Sequence, residues 1–475
     1  MFPVSWILLS SLVSIGAAQP RETRNGREME MPSFGRPTLP PDFGPANPSR
    51  KRSPAPVPVP RPVKSPEPTV IPVTRLTPPV IVSAQSHVVD EFLFLRSAFS
   101  KADSAILESL FAQAAALLEV ARQSERADEI QLFMIEIRRK QKRPVDAVIE
   151  ALKLLYEYPG SKWAFNAKRI IQEITAKRFK RSREKITAIT EGPRIGMSRP
   201  QRLGAMLQNL ASFSDPNFYS MITAEFRDFF KRYPGYTDRD SLSFLLAGLH
   251  TRNGSPRPAV FLYERILALS EKKDLKASAQ NAVGDLYAGA LDDPERAVGA
   301  YQALADGFPE FEEAQVAYGK WARLLDKELK QPMLAVEILE KAVQLYPETD
   351  AAHNALSESG RILAFRLKNR ELAVLTLERL AEMFPGPRAV AGLRRIANLH
   401  ARARDYAKQA RTLVRLRRRY PGDAYSAEAL WTAARLYDKK LRDETAARRV
   451  YQDLVESYPE NHFSKKARRR LESLE

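Results

Sequence analysis

Between residues 158 and 459 an aromatic residue is followed by proline seven times. The pairs are Tyr158-Pro159, Tyr233-Pro234, Phe308-Pro309, Tyr346-Pro347, Phe384-Pro385, Tyr420-Pro421 and Tyr458-Pro459. Successive aromatic positions differ by 75, 75, 38, 38, 36 and 38 residues, and 75 is about two such periods. Repetition at this period is typical of chains in which one supersecondary unit stacks on the next. The chain is therefore predicted to fold as a solenoid, which favours an extended binding surface over a catalytic pocket.

Each aromatic-proline pair is predicted to end a helix, because proline cannot continue helical hydrogen bonding and disfavours the α region for the residue before it. Larger apolar residues follow an alanine at spacings of four and then three, as in Ala297, Tyr301 and Leu304, and these spacings place them on one helical face. That alanine stands eleven residues before the aromatic in five repeats, at Ala147, Ala297, Ala335, Ala373 and Ala447.

A second helix precedes this one in each unit. A pattern of a small residue followed three positions later by a large one recurs at residues 284–287, 360–363, 397–400 and 434–437. Between the helices come turn signals such as Asp292-Asp293-Pro294, where aspartate can cap a helix and proline can occupy its first turn. The predicted unit is thus helix, short turn, helix, and the predicted fold class is all-α.

In these features the chain resembles the tetratricopeptide repeat family. Residues 284–309 carry that family's small residue, tyrosine, alanine, aromatic and terminal proline in order. Residues 158–167 and 420–431 are similar to its periplasmic branch, represented by the outer-membrane assembly lipoprotein of the β-barrel machine and by the Tol-Pal coordinator. The unit of 36 to 38 residues is longer than the family's usual length of about 34. The resemblance implies a right-handed superhelical solenoid of antiparallel helix pairs that binds proteins and carries no catalytic site.

The repeat register divides the chain. An N-terminal helix pair is predicted over residues 81–124, a first repeat-like region with a divergent unit over 125–200, the solenoid over 201–459 and a C-terminal capping helix over 460–475. The aromatic-proline stop is replaced at Ser270-Glu271, and near residue 195 no unit fits. The charged run at residues 177–183 predicts a break or insertion there.

The N-terminal 80 residues have a different composition. Residues 1–18 combine a short apolar core with small residues at the positions that a signal peptidase reads, which predicts a signal peptide cleaved after Ala18, although no Lys or Arg precedes the core. Residues 19–80 hold 17 of the 34 prolines and are predicted to form a disordered, extended linker. We therefore expect a periplasmic or secreted protein that is not an integral membrane protein. If the signal peptide is not real, the chain is expected to be a cytosolic adaptor.

Several chemistries lack their sequence signatures. Cysteine is absent, and the five histidines are scattered without the HxxxH or HExxH spacing of metal sites. No glycine-rich nucleotide loop and no Ser-His-Asp set is present. The sequence thus predicts no catalytic residues, no cofactor and no metal.

The net charge of +18 is concentrated towards the C-terminus, where residues 387–475 carry 22 Lys or Arg against 11 Asp or Glu. Within one predicted helix, a basic stripe opposite the apolar face is formed by Arg411, Arg415, Arg418 and Arg419. This stripe can be a solvated helix face or a surface for anionic glycan or lipid. Nucleic acid is not expected as a partner, because the aromatic residues fall at packing positions and are not interleaved with the basic ones.

The family resemblance adds a second candidate site. In some tetratricopeptide proteins, basic and Asn side chains on the first helices of three successive repeats hold a peptide carboxylate. The matching positions here are Arg394, Asn398, Thr432, Lys466 and Arg470, with threonine in place of the family's Asn. If the family geometry holds, Glu428, Trp431 and Arg435 also face the concave side, although Trp431 can equally be wedged between repeats.

Three functions follow from these features. The first is an exported, non-catalytic scaffold that binds protein or peptide partners in the cell envelope, with the proline-rich segment as its tether. The second is a module whose basic C-terminal end binds an anionic envelope glycan or lipid. The third is the cytosolic adaptor.

Overall fold

A computed structural model describes residues 84–193, 196–213 and 215–474. The predicted signal peptide and the whole of the predicted proline-rich linker lie outside these residues. All regular secondary structure in the described part of the chain is helical. The fold is an α-solenoid of antiparallel helix pairs, as the aromatic-proline repeat predicts.

The helices follow one another through short turns. The first ten are α1 (Ala84–Phe99), α2 (Ser104–Val120), α3 (Ala127–Lys140), α4 (Pro144–Glu157), α5 (Ala164–Arg178), α6 (Arg183–Ile189), α7 (Arg199–Ala211), α8 (Pro216–Arg232), α9 (Arg239–Arg252) and α10 (Pro256–Leu269). The others are α11 (Lys273–Ala288), α12 (Pro294–Gly307), α13 (Glu312–Lys327), α14 (Pro332–Leu345), α15 (Asp350–Phe365), α16 (Arg370–Met383), α17 (Pro387–Arg402), α18 (Tyr406–Arg419), α19 (Ser426–Leu436), α20 (Glu444–Ser457) and α21 (His462–Glu472). Odd-numbered helices are the first of a pair and even-numbered helices the second. Helix α19 continues into a π-helical turn, Tyr437–Leu441.

The turn within each pair is set by local chemistry. Proline occupies the first turn of five second helices, α4, α8, α10, α12 and α14, where its missing N–H leaves no hydrogen bond unmade. In four other second helices, α2, α16, α18 and α20, an Asn or Asp side chain caps the helix, as Asp405 does for α18 by accepting from the Lys408 backbone N–H. At the other end, each aromatic of the seven aromatic-proline pairs lies one residue past a second helix. The predicted stop is therefore the observed stop.

The core lies between the two helices of a pair and between neighbouring pairs. Ala297, Tyr301 and Leu304 are at most 1% exposed, so the helical face indicated by the sequence is buried. The small residue on the first helix is sterically required in this pair, because a Cβ added to Gly284 would lie 2.5 Å from the Tyr301 ring. The Tyr301 hydroxyl then reaches Asp285 at 2.6 Å, which satisfies the polar end of an otherwise buried side chain.

One unit departs from the pattern. After α5, a short 3₁₀ turn (Lys180–Ser182) leads into α6, which has only 7 residues, and α4 packs against both α7 and α8. The sequence predicts a break or insertion in the same region, at residues 177–183. At the replaced stop, α10 ends at Leu269 and the Ser270 side chain is buried.

Candidate binding groove on the first helices

The first helices form a surface of their own. Helices α9, α11 and α13 each contact the next first helix as well as their own second helix, and α17 reaches α15 through Arg395, which donates to Ser357. The polar faces of α13, α15 and α17 border two adjoining cavities. One, of about 800 Å³, lies between α13 and α15. The other, of about 270 Å³, lies between α15 and α17. Both are lined by Ser357, Glu358 and Arg361, so they form one continuous depression, here called the inner groove.

Helical periodicity selects the side chains that line it. On α13 the lining positions Val316, Lys320, Arg323 and Lys327 follow one another at intervals of three or four residues. They lie opposite the buried face of the same helix, which includes Trp321. An amphipathic first helix thus builds the core with one face and the groove with the other.

The floor of the groove is apolar and tightly packed. It is formed by Leu339 and Ala342 of α14 and by Leu377 of α16, which reach the groove between the first helices. A Cβ at Gly360 would lie 2.9 Å from Leu377, so the absence of a side chain at this position lets the second helix approach. Phe365 and Val316 remain 47% and 49% exposed on the groove wall and offer apolar contact area.

Some charges of the groove are neutralised within the protein. The Lys320 ammonium lies 2.6 Å from a carboxylate oxygen of Asp285 on α11. Arg361 donates to Glu358 at 2.8 Å and to the buried Asp326 at 2.7 Å. Burial opposes the charged form of Asp326, but the hydrogen bonds from its arginine partners outweigh burial and lower the pKa of this carboxyl. The bonds to Asp285 and Asp326 cross from one unit to the next and fix the spacing of the first helices.

Other groove cations have no carboxylate partner among the described residues. Arg323, Lys327, Arg395 and Arg402 are exposed and line the groove. The Arg402 guanidinium lies 4.7 Å from the centre of the Phe365 ring, and Arg395 donates to the Ser357 hydroxyl. Their charge is therefore available to a ligand.

The five residues predicted to hold a peptide carboxylate lie in different surroundings. Asn398 is exposed and lines the inner groove, whereas the Arg394 guanidinium lies 4.0 Å from the centre of the Tyr425 ring. Thr432 is half-buried on α19. Lys466 is exposed on α21, with its ammonium 5.7 Å from the Phe463 ring.

Arg470, the fifth clamp position, is engaged inside the protein. Its guanidinium donates to both carboxylate oxygens of Asp438, at 2.7 and 2.8 Å. These hydrogen bonds lower the pKa of Asp438 against the opposing effect of burial. Because Asp438 lies in the π-helical turn after α19, this pair ties the last helix to the preceding unit.

The three predicted groove anchors lie on α19. The Trp431 ring is half-buried, stacks on Phe463 at 6.1 Å and tilts against Tyr451 at 5.6 Å. Arg435 is exposed, with its guanidinium 5.9 Å from the Trp431 ring, and Glu428 is exposed on the first turn. The indole thus packs between α20 and α21.

The predicted basic stripe lies on a second helix, α18, and takes no part in the inner groove. Arg415 pairs with Glu378 at 3.1 Å. Arg411, Arg418 and Arg419 are exposed and make no ion pair with any described residue. Three guanidinium groups are therefore free on this helix.

The groove residues of α13 and α15 are not among the site residues predicted from the sequence. The charge surplus that marks the last repeats begins after Arg323, Lys327 and Phe365. The available signal was the polar spacing of three and four residues on each first helix, opposite the small residue of the packing pattern.

Part of this chain is similar to a known protein family. Residues 428–461, from α19 to the turn before α21, match the model of the tetratricopeptide repeat family. That segment is therefore similar to a single tetratricopeptide repeat. No curated protein sequence is significantly similar to the chain.

Three solved structures are similar to the chain at low identity. The C-terminal part of a repeat protein from Cytophaga hutchinsonii is 17% identical, covers 56% of this chain and 98% of its own, and has a TM-score of 0.36. A repeat protein from Parabacteroides merdae is 16% identical, with coverages of 57% and 98% and a TM-score of 0.31. PilW, a type IV pilus biogenesis factor, is 17% identical, with coverages of 49% and 99% and a TM-score of 0.28.

Two features are absent from the part of the chain that the structure describes. The described residues contain no group of three or more His, Cys, Asp or Glu side chains placed to hold a metal ion. No helix among them combines the length and the apolar composition needed to cross a membrane.

Proposed function

We propose that this chain is a non-catalytic scaffold whose inner groove binds a segment of another protein. The continuity of the groove across α13, α15 and α17 is the observation that supports this function. Such a surface, with a tightly packed apolar floor, exposed Phe365 and Val316 and convergent polar groups, has the composition of a peptide-binding site. Ion pairs between units hold it in place before a partner arrives, which reduces the entropic cost of binding.

Site-specific photocrosslinking tests this function. A photoreactive residue at Val316 or Asn398, both exposed in the groove, is expected to give discrete crosslinked species in cells that make the full chain. The same residue at Gln344, exposed on the second helix α14, is the matched control and is expected to give none. Equal crosslinking from groove and control positions would contradict the proposal.

We also propose that the scaffold acts in the cell envelope, in an assembly or coordination role, after export. The apolar core and small residues of positions 1–18 support export. Fractionation of a C-terminally tagged protein followed by N-terminal sequencing tests it. Export predicts a mature chain that begins at Gln19, and an intact Met1 in the cytosol would favour the adaptor function instead.

A second candidate function is binding of an anionic glycan or lipid by the basic stripe on α18. The free Arg411, Arg418 and Arg419 support it. Retention of the protein on heparin, a sulfated glycan, should then fall when these three residues are changed to glutamate. It should also fall steeply with added salt, because exposed charges are screened. Retention that is unchanged in the triple variant removes this candidate.

A further inference from the structure

The charges that border the inner groove do not balance. Of its carboxylates, Asp350 pairs with Arg388 and Glu358 pairs with Arg361. Glu312 remains, in the first turn of α13 at one end of the groove. Against it stand four exposed cations without a carboxylate partner in the described part of the chain, namely Arg323, Lys327, Arg395 and Arg402. The groove therefore carries a surplus of positive charge.

Several cations of the second helices are paired. They meet carboxylates of a neighbouring second helix, as Arg379 does with Glu340 at 2.7 Å and Arg417 with Asp453 at 2.7 Å, and the free arginines of the basic stripe on α18 are exceptions. Exposed like charges on one surface repel one another, and an anionic ligand relieves that repulsion. The unpaired cations of the groove thus favour a ligand that supplies carboxylates.

The cavity between α15 and α17 adds a second requirement. Its wall and floor include Ala364, Phe365, Leu377 and Leu399. Its volume of about 270 Å³ is below the roughly 300–1,000 Å³ of pockets for small molecules, and it suits a single side chain of a larger ligand. Apolar groups form most of its lining surface, so a large apolar side chain gains most from entering it.

The free cations lie on both sides of this cavity. Arg323 and Lys327 are on α13, whereas Arg395 and Arg402 are on α17. We infer that the partner of the inner groove is an acidic peptide segment that inserts one leucine or phenylalanine between α15 and α17 and has carboxylates on both sides of that residue. This inference rests on the proposed protein-binding function and names the chemistry of the partner.

Selection from random peptides tests the inference. The full chain is used to select from a display library of random peptides about twelve residues long. A groove variant (Arg395→Glu with Arg402→Glu) is compared with a control variant that carries the same charge change on second helices, at exposed positions that do not line the groove (Lys341→Glu on α14 with Arg449→Glu on α20). We expect the wild type and the control to enrich peptides in which Asp or Glu flank one Leu or Phe, and the groove variant to bind these peptides about tenfold or more weakly.

The outcomes of this selection separate the two proposals. Enriched peptides that are neutral or basic, and are still lost in the groove variant, would overturn the acidic partner and leave the protein-binding groove standing. Enrichment that does not depend on the groove would overturn both.

The apolar anchor is tested on both molecules. In a selected peptide, replacing the central Leu or Phe by Ala should weaken binding about tenfold or more, because the cavity is left empty. In the protein, Ala364→Leu fills part of the cavity without changing charge and should weaken binding similarly. Circular dichroism confirms that this variant is folded, and the peptide substitution gives the answer if it is not. Affinity that is unchanged by the peptide substitution would exclude the anchor.

Discussion

Among the described residues, six other than glycine have a left-handed backbone, and all six lie in the turn between the first and second helix of a pair. They are Lys142, Asp292, Lys330, Lys368, Arg404 and Arg442, with φ between 51° and 59°. In the turn after α9 this place is taken by Gly254, with φ of 68°. The conformation reverses the chain so that a backbone N–H can bond back into the first helix, as Gln331 does to the Leu325 carbonyl at 2.7 Å.

Glycine at one of these positions should stabilise the protein. A left-handed conformation costs a residue other than glycine about 1–2 kcal/mol, and Lys330→Gly removes this cost. The greater entropy of glycine in the unfolded chain offsets about 0.5–1 kcal/mol of the gain. We expect the free energy of unfolding to rise by about 0.5–1 kcal/mol, measured as a shift in the urea denaturation curve. Lys341→Gly, on an exposed helical position of α14, is the matched control and should lower it by about 1 kcal/mol. The same sign for both substitutions would show that backbone conformation does not decide the effect.

At the level of helices, packing residues were predictable and charge partners were not. The apolar face of a second helix repeats along the chain at fixed intervals, so Ala335 and Leu339 could be placed on it from the sequence. The ion pairs join residues about one unit apart in different helices, as in Arg361 with Asp326. The pairing of cations with carboxylates depends on the offset between neighbouring helices. This offset cannot be derived from a single sequence.

The buried carboxylate of Asp326 tests how much these ion pairs contribute. It is 1% exposed, and Arg366 donates to it at 2.8 Å in addition to Arg361. Asp326→Asn removes the negative charge that pairs with two arginines, and both arginines are partly exposed. We therefore expect the free energy of unfolding at pH 7, measured by urea denaturation, to fall by about 1–3 kcal/mol. Asp350→Asn, at an exposed ion pair, is the control and should change stability by less than about 1 kcal/mol.

The effect of Asp326→Asn should depend on pH in a defined direction. The folded-state pKa of Asp326 is lowered, so the stability that it contributes is present above its unfolded pKa of about 3.9 and is lost as the pH falls through the lower folded value. The difference between wild type and Asp326→Asn should therefore be constant from about pH 5 to 7 and shrink below about pH 4. A difference that grows on acidification would contradict this assignment.

At the level of the whole molecule, the hydrophobic core follows the order of the chain. Four clusters of buried residues run from Val88 to Ile137, from Leu132 to Leu249, from Ala247 to Ala300 and from Ala277 to Ala467. Each cluster overlaps the next in sequence, because a unit packs only against its neighbours. Stability in such an array is approximately a sum of units and of the interfaces between adjacent units.

This arrangement predicts that removing the last helix acts locally. Helix α21 covers the end of the solenoid, where Ala467 and Ser464 are fully buried, Phe463 stacks on Trp431 and Arg470 holds Asp438. Deleting residues 462–475 exposes this end to water. We expect amide hydrogens of α19 and α20 to exchange about tenfold or more faster, while those of α3 to α10 keep their rates, as measured by hydrogen exchange and mass spectrometry.

Arg469→Ala is the control for this deletion, because Arg469 is exposed on α21 and makes no ion pair with a described residue. Its exchange rates should match those of the wild type. Faster exchange along the whole chain after the deletion would mean that the array unfolds as one cooperative unit. In that case the groove on α13 to α17 would depend on the cap. If the effect stays local, the groove is held by its own neighbours, and the ends of the solenoid can vary without altering the partner that it binds.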